Sequence, residues 1–368
     1  MKKNMLIITL LILFVGLFNN AQSENNSENI VRNITIKDST FIQTDTDIAS
    51  VCCNDSLIFI STIYDGKIRC YGFDGKKKYS FARKGPGPGE FSHHPASLSI
   101  WNDYLISADT QNFELEFFKL NGEHFKTISY RKFMISPVSK LVPWQDEVII
   151  EGTGVNMDDG FEMTQAVLTM NNDFKIKEKS SETIRKMTSM NPVDLLKKTN
   201  PFRVRSNYFR VGDSLIKYLD NEGKSHEKLI LYNKNEDSTL ISLNSIKERK
   251  VTKSIKEYTR IKSKKEFAKR ESFFKNLANE DDLYKFPKYF PKVKKIYKIK
   301  NKILLLSNYQ KINNDMNNKN AVYIWNNKDE TFYDMLFNNS IPVNKIIGVN
   351  KDKMILRLDK KIKIITFD

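Results

Sequence analysis

Cysteine and histidine are scarce in this 368-residue chain, three of the first and four of the second, and their scarcity removes several chemistries. Cys52, Cys53 and Cys70 are odd in number and show none of the paired spacings that hold zinc. A Cys53–Cys70 bridge also fails on strand register. If Asp65-Gly66 is a two-residue hairpin turn, Cys70 faces Ser61 and Cys53 lies several residues away. Buried free thiols are therefore expected. His93, His94, His124 and His226 fall in no HExxH pattern, and no G-x-S-x-G nucleophile elbow is present. The glycine-rich run 85–89 is not followed by the GK[ST] that a phosphate loop needs.

A cysteine is also missing where a lipid anchor would need one. Lys2 and Lys3, the largely apolar stretch Met5 to Phe18 and the small residues Ala21 and Ser23 read as a secretory signal over residues 1–23. That stretch is shorter than the ~20 apolar residues that span a bilayer. The expectation is a cleaved signal, then residues 24–368 as one soluble domain, periplasmic or extracellular, without a transmembrane anchor.

What the chain has in abundance is lysine. The formal charge is +16, and +14 without Lys2 and Lys3. The surplus is spread along the whole sequence beside many asparagines, so it reads as composition bias. An exported protein rarely meets nucleic acid, and no nucleic-acid partner is expected.

The organising signal is a degenerate repeat. A turn followed by a short apolar strand recurs at Asn54 (NDSLIFI), Asn102 (NDYLISA), Gln145 (QDEVIIE), Gly212 (GDSLIKY), Asn301 (NKILLLS) and Lys351 (KDKMILR). Aligned on Asp55, Asp103, Asp146, Asp213, Lys302 and Asp352, the copies lie 48, 43, 67, 89 and 50 residues apart. Each is followed by a second strand-like stretch ending in a large apolar residue and a turn, as at Phe73-Asp74-Gly75 and Leu120-Asn121-Gly122. A further strand-like stretch then usually follows. Four strands per unit of about 40–50 residues is the blade of a propeller. The fold expected is all-β, a six-bladed β-propeller.

The sixth unit reaches Asp368 one strand short, and Asn29–Asp38 (NIVRNITIKD) alternates apolar and polar residues ahead of the first unit. This N-terminal strand is expected to complete the last blade and cover its open edge. Between the third and fourth units, Asn191-Pro192 followed by VDLLKK reads as a short capped helix. Between the fourth and fifth, residues 245–285 lack Gly and Pro and space Val251, Ile255, Tyr258 and Ile261 at helical intervals. This is expected to be a helical insertion, either a solvated surface helix or a cover for one face of the disc.

Residues 83–95, RKGPGPGEFSHHP, resemble the signature of six-bladed propellers abundant in Bacteroidetes and related to NHL-repeat proteins. Gly85, Gly87, Pro88, Gly89, Glu90, Phe91 and Pro95 carry the likeness. The stretch SADTQNFELEFFKLNG and the segment FPKYFP from Phe286 extend it over most of the chain. The resemblance implies a Gly-rich crossing between the first two blades. A lipid-modified cysteine, found in a well-known subgroup, has no counterpart here. Independently of the likeness, three glycines permit backbone angles closed to other residues, two prolines stiffen the crossing, Phe91 can bury between blades and Glu90 can accept backbone N–H bonds.

Other candidate site residues are few. His93 and His94 sit in a loop beside Pro95, either facing the channel with a metal or acid–base role or simply packed and solvated. Arg203 and Arg205 alternate onto one strand face suited to a carboxylate or sulfate. Asp158-Asp159-Gly160 has part of a calcium loop but lacks its alternating ligands and final glutamate. No cofactor is required, although a channel-bound divalent ion is compatible with the fold. The reading is a monomeric, non-catalytic binding or scaffold module for an envelope protein or glycan. Its rival is a metal-dependent hydrolase or lyase working at the channel mouth.

Overall fold

The computed structural model describes residues 32–34, 36–63, 65–156, 161–187, 207–219, 227–235, 237–243, 246, 251, 253–268, 284, 289, 292–293, 295–299, 302–306, 322–326, 331–337, 346–350, 352–358 and 360–367. All belong to the unit Val31–Asp368. The expected signal at 1–23, the turn at 158–160, the short helix after Asn191, and Arg203 and Arg205 lie outside the described residues.

Two strands, β1 (Arg32–Ile34) and β2 (Ile36–Gln43), come first. A four-stranded sheet follows, made of β3 (Ile48–Cys53), β4 (Leu57–Thr62), β5 (Ile68–Gly72) and β6 (Lys77–Phe81). A ribbon of β7 (Arg83–Lys84) and β8 (Glu90–Phe91) leads to β9 (Ala96–Trp101), β10 (Tyr104–Asp109), β11 (Glu114–Lys119) and β12 (His124–Ser129). The third sheet is β13 (Ile135–Trp144), β14 (Glu147–Asn156), β15 (Phe161–Asn171) and β16 (Ile176–Met187). The fourth is β17 (Tyr208–Val211), β18 (Ser214–Leu219), β19 (Lys228–Tyr232) and β20 (Ser238–Ser242). After helix α1 (Lys253–Ala268) come β21 (Lys295–Ile299), β22 (Lys302–Leu306), β23 (Val322–Asn326) and β24 (Thr331–Phe337). The last three strands are β25 (Ile346–Asn350), β26 (Lys353–Leu358) and β27 (Lys361–Phe367).

The protein is an all-β propeller. Its turns use the residues that turn chemistry demands. The Asn54 side chain accepts the amides of Ser56 (2.9 Å) and Leu57 (2.8 Å), and Asp74 and Asn121 likewise hold the amides of Lys76 and Glu123. Gly75 and Gly122 supply the left-handed backbone, φ +79° and +94°. Strands such as β4 and β10 are buried at every position but the first because both of their faces are covered. The cores lie between successive sheets. Phe59, Ile68 and Cys70 pack on Phe91, Leu98, Leu105 and Phe118, and the next interface joins Ile106, Phe117 and Tyr130 to Val138, Val148 and Leu168.

Five sheets are four-stranded, against the six expected from the repeat. The sheet that departs is β21–β24, which carries β1 as a fifth strand, parallel to β24 through Arg32↔Met335 and Ile34↔Phe337. The first strands touch in order, β3 with β9, β9 with β13, β13 with β17, β17 with β21, β21 with β25, and β25 with β3.

The strand that completes β25–β27 is β2, antiparallel to β27 from Ile36↔Phe367 to Gln43↔Lys361. An N-terminal strand therefore closes this sheet as expected, but over Ile36–Gln43, which shares only Ile36–Asp38 with the expected Asn29–Asp38. The alternation of Ile34 and Ile36 is shared between two strands on two sheets, separated only by Thr35. What fixes the register is the following stretch. Ile42 buries among Ile355, Ile362 and Ile364 and, across the seam, Ile48, Ile58 and Ile60. Thr44 then donates both its amide (2.9 Å) and its hydroxyl (2.7 Å) to the Lys360 carbonyl.

Two further expectations are revised. The hairpin between β4 and β5 is a five-residue loop, so Cys70 faces Phe59 and Ser61 faces Ile68. Asp65 shapes it, accepting from Thr62 Oγ1 and the Lys67 amide (both 3.0 Å) and pairing with Arg69. Within 245–285, Val251 is buried ahead of α1 while Ile261 on the helix is exposed, so these two do not share one buried stripe.

Candidate functional site

The Gly-rich crossing folds back on itself. β7 and β8 pair in parallel, Arg83↔Glu90 and Lys84↔Phe91, and the Gly85 amide donates to the Phe91 carbonyl at 3.1 Å. The Glu90 carboxylate closes the loop by accepting the Gly87 amide at 2.9 Å and pairing with the Arg83 guanidinium. The Gly87 amide, and after it Arg83, hold the Glu90 carboxyl below its ordinary range. A Cβ at Gly85 would lie 2.0 Å from Glu90 Oε2, so the glycine makes room for the carboxylate. Phe91 is fully buried, its ring 6.2 Å from Phe118.

Beneath the loop, the Gly89 amide (φ +73°) donates to Glu116 Oε2 at 3.2 Å. Glu116 is buried and meets His124 Nε2 at 2.9 Å and Thr127 Oγ1 at 2.8 Å. Burial raises its carboxyl above the ordinary range against the pull of those donors. The loop thus works as a clasp between two blades. Sequence reasoning did not single out Glu116, although a carboxylate inside the apolar stretch LEFF is the signal that marks it.

His93 and His94 stand with ring centroids 4.5 Å apart at 68°, their Nδ1 atoms in contact. Burial, then the neighbouring His93, lowers the His94 imidazole below its usual range, with Asp109 opposing. Asp109 anchors the loop by accepting the amide (2.7 Å) and hydroxyl (2.5 Å) of Ser92. The Pro95 carbonyl accepts from Ser61 Oγ at 2.8 Å. Among the described residues, no three or more His, Cys, Asp or Glu side chains are placed to hold a metal together. Cys52, Cys53 and Cys70 are free thiols; burial pushes Cys53 up to about 12.

The first strands are stitched to one another by side chains the sequence reading passed over. Ser97 Oγ donates to the Val138 carbonyl (3.0 Å), Lys140 Nζ to that of Tyr208 (2.7 Å), and Lys295 Nζ (2.9 Å) and Tyr297 OH (3.0 Å) to that of Ile346. Each donor serves the first strand of the next blade. Lys140 also lies 4.0 Å from the Phe209 ring centroid and directly across the β13–β14 pair from buried Glu151, which accepts the Asn207 amide at 2.9 Å. Burial pushes the Lys140 amine down to about 8, with Glu151 opposing and Lys295 adding to the shift.

No sequence-family profile matches the chain, and no curated protein sequence matches it. Solved structures do. An exported-type protein of Bacteroides fragilis aligns over 93% of this chain and 97% of its own, at 12% identity and TM-score 0.48. A DUF4221 family member from Bacteroides vulgatus aligns over 93% and 99%, at 10% and 0.45. Virginiamycin B lyase from Staphylococcus aureus aligns over 89% and 99%, at 9% and 0.40.

Among the described residues no helix is long and apolar enough to cross a membrane.

Proposed function

We propose that this chain is an exported, non-catalytic binding propeller of the cell envelope, periplasmic or extracellular and monomeric, that recognises a protein or glycan through the rim of its disc. In this reading it belongs with the six-bladed, NHL-like propellers of Bacteroidetes. The β21–β24 sheet is the remaining blade, with β1 added at its outer edge. The cyclic contact of the six first strands supports that count.

The observation that carries the functional reading is where apolar surface is exposed. Of the five exposed large apolar side chains among the described residues, Phe41, Phe125 and Leu240 sit on outermost strands, β2, β12 and β20, while Met134 precedes β13 and Ile261 lies on α1. By contrast, Ser97, Lys140 and Lys295 on the first strands spend their side-chain donors on backbone carbonyls of the next blade. Of the exposed apolar side chains, Phe125 gathers with Tyr104 and Phe174 into one patch, and a contiguous patch of that kind suits contact with a partner.

A thermal-shift screen of residues 24–368 against calcium, other divalent ions, glycans and lactones, with EDTA as control, tests this. A ligand at 100 times its Kd stabilises by about 2.7 kcal/mol. A metal-dependent shift reversed by EDTA would favour the alternative, a hydrolase or lyase at the channel mouth using His93 and His94. The binding reading expects no metal response.

A further inference from the structure

Three aromatic residues occupy positions that the other repeats fill differently, and they meet in one patch. In β12 the pairs Phe117↔Lys126 and Phe118↔His124 leave Phe125 bulged out of register. The equivalent bulge residue in β6 is Lys78, between the pairs Cys70↔Tyr79 and Tyr71↔Lys77. In β16 the register is continuous at that point, with Lys177 there, and bulges two residues later at Lys179; all three are exposed lysines. In the hairpin before the fourth strand, the fourth residue is left-handed in three blades. It is Gly75 and Gly122 in two of them and Phe174, at φ +60°, in the third. Tyr104 opens β10 where the register of the other sheets places Leu57, Glu147, Ser214, Lys302 and Lys353.

These departures carry costs. A bulky side chain in the left-handed region costs of order 1–3 kcal/mol, and such strain collects at binding and catalytic sites. A bulge re-aims a side chain. Here both devices serve the same place. Phe125 stacks on Tyr104 at 4.5 Å and 26°, Phe174 lies 5.9 Å from Phe125, and Lys126 Nζ sits 4.3 Å from the Phe174 centroid. Phe125 leaves 41% of its surface to solvent. Asn102 and Asp103 precede Tyr104, and Asn172 and Asp173 precede Phe174. All four are exposed, and within the described residues none of their side chains is engaged in a hydrogen bond or ion pair.

We infer that Tyr104, Phe125 and Phe174 form a platform that binds the ring face of a neutral glycan, with Asn102, Asp103, Asn172 and Asp173 serving its hydroxyls. A pyranose offers an apolar C–H face ringed by hydroxyl groups. An aromatic ring covers the first, and amide and carboxylate groups satisfy the second. Size argues against a protein partner at this patch. Three rings of about 150–250 Å² each, partly covering one another, fall short of the ~800 Å² per side of a standard protein interface. This inference rests on the reading of the rim as the binding surface and names its ligand.

The test is affinity electrophoresis of the full-length mature chain through gels containing laminarin, glycogen, xyloglucan or galactomannan. Retardation is expected in at least one gel. Phe125→Lys, which installs the residue of the neighbouring blades, should weaken it at least tenfold with an unchanged melting temperature. Tyr104→Ser and Phe174→Gly should weaken it as much, with a lowered melting temperature because both rings also pack on the core beneath, Phe174 against Trp101 and Phe117. Mobility unaffected by all four polysaccharides, or retardation unchanged in Phe125→Lys, overturns the inference. In that event a photo-crosslinker at Asp103 that captures an envelope protein in cells would leave the binding-module reading standing. Absence of any crosslinked product would count against both.

Discussion

Replacing Ile42 by Ala should destabilise the propeller by about 3 kcal/mol, although the residue belongs to the outermost strand of its sheet. Ile42 is 2% exposed and touches residues of both β25–β27 and β3–β5. Removing three carbons costs about 0.8 kcal/mol each in transfer free energy. The incompletely collapsed cavity adds to this, placing the change within the ~2–5 kcal/mol seen for such truncations. Ile42→Val, which removes one carbon, should cost about 1 kcal/mol. Phe41, one residue earlier, points away from that core and is 53% exposed, with the Lys363 ammonium 5.5 Å from its ring centroid. Phe41→Ala should cost under about 0.5 kcal/mol. Urea unfolding followed by circular dichroism reads all three, with midpoints shifting and slopes unchanged. If Ile42→Ala lay within 0.5 kcal/mol of the unaltered chain, or Phe41→Ala cost as much as Ile42→Ala, β2 would not be the closing strand in solution.

Two more outcomes follow from the same geometry. Gly89→Ala forces a side chain into φ +73° with its Cβ 2.9 Å from the His124 ring, and should lower stability by about 1–3 kcal/mol in thermal melts; an unchanged melting temperature would show that the clasp opens freely. Lys140 titrates near 8 in the fold against 10.5 in the unfolded chain, so the unfolded state holds more protons between those values. Stability should rise with pH across that window and lose the increment as pH falls through 8, by at most about 3 kcal/mol and less where solvent reaches the amine. Lys140→Met should lack this increment, and a variant with the same pH profile as the unaltered chain would refute the assignment.

Much of the architecture was legible in the sequence because its determinants are local. Alternating apolar residues, Asx turns at Asn54 and Asn121, and left-handed glycines at 75 and 122 each act within a few residues, and together they mark strands, hairpins and repeat. The loop half of the clasp was legible for a similar reason, since Gly85, Gly87, Glu90 and Phe91 bond mainly to one another, whereas Glu116 beneath it, 27 residues from its partner Gly89, was not. The β4–β5 register was not, because Asp65 draws its partners Thr62 and Arg69 from both strands and widens the loop.

The sequence by itself determined that this chain folds as a propeller of repeated β-sheets joined by turns of defined type, because period-two alternation and positive-φ residues are properties of neighbours in the chain. Only the tertiary structure decided the rest. It set which N-terminal stretch closes β27, and which backbone carbonyls Lys140 and Lys295 reach in the next blade. It also brought Tyr104, Phe125 and Phe174 to one surface. These contacts join residues tens to hundreds of positions apart. Ring closure and bulged register, which no local pattern encodes, create them.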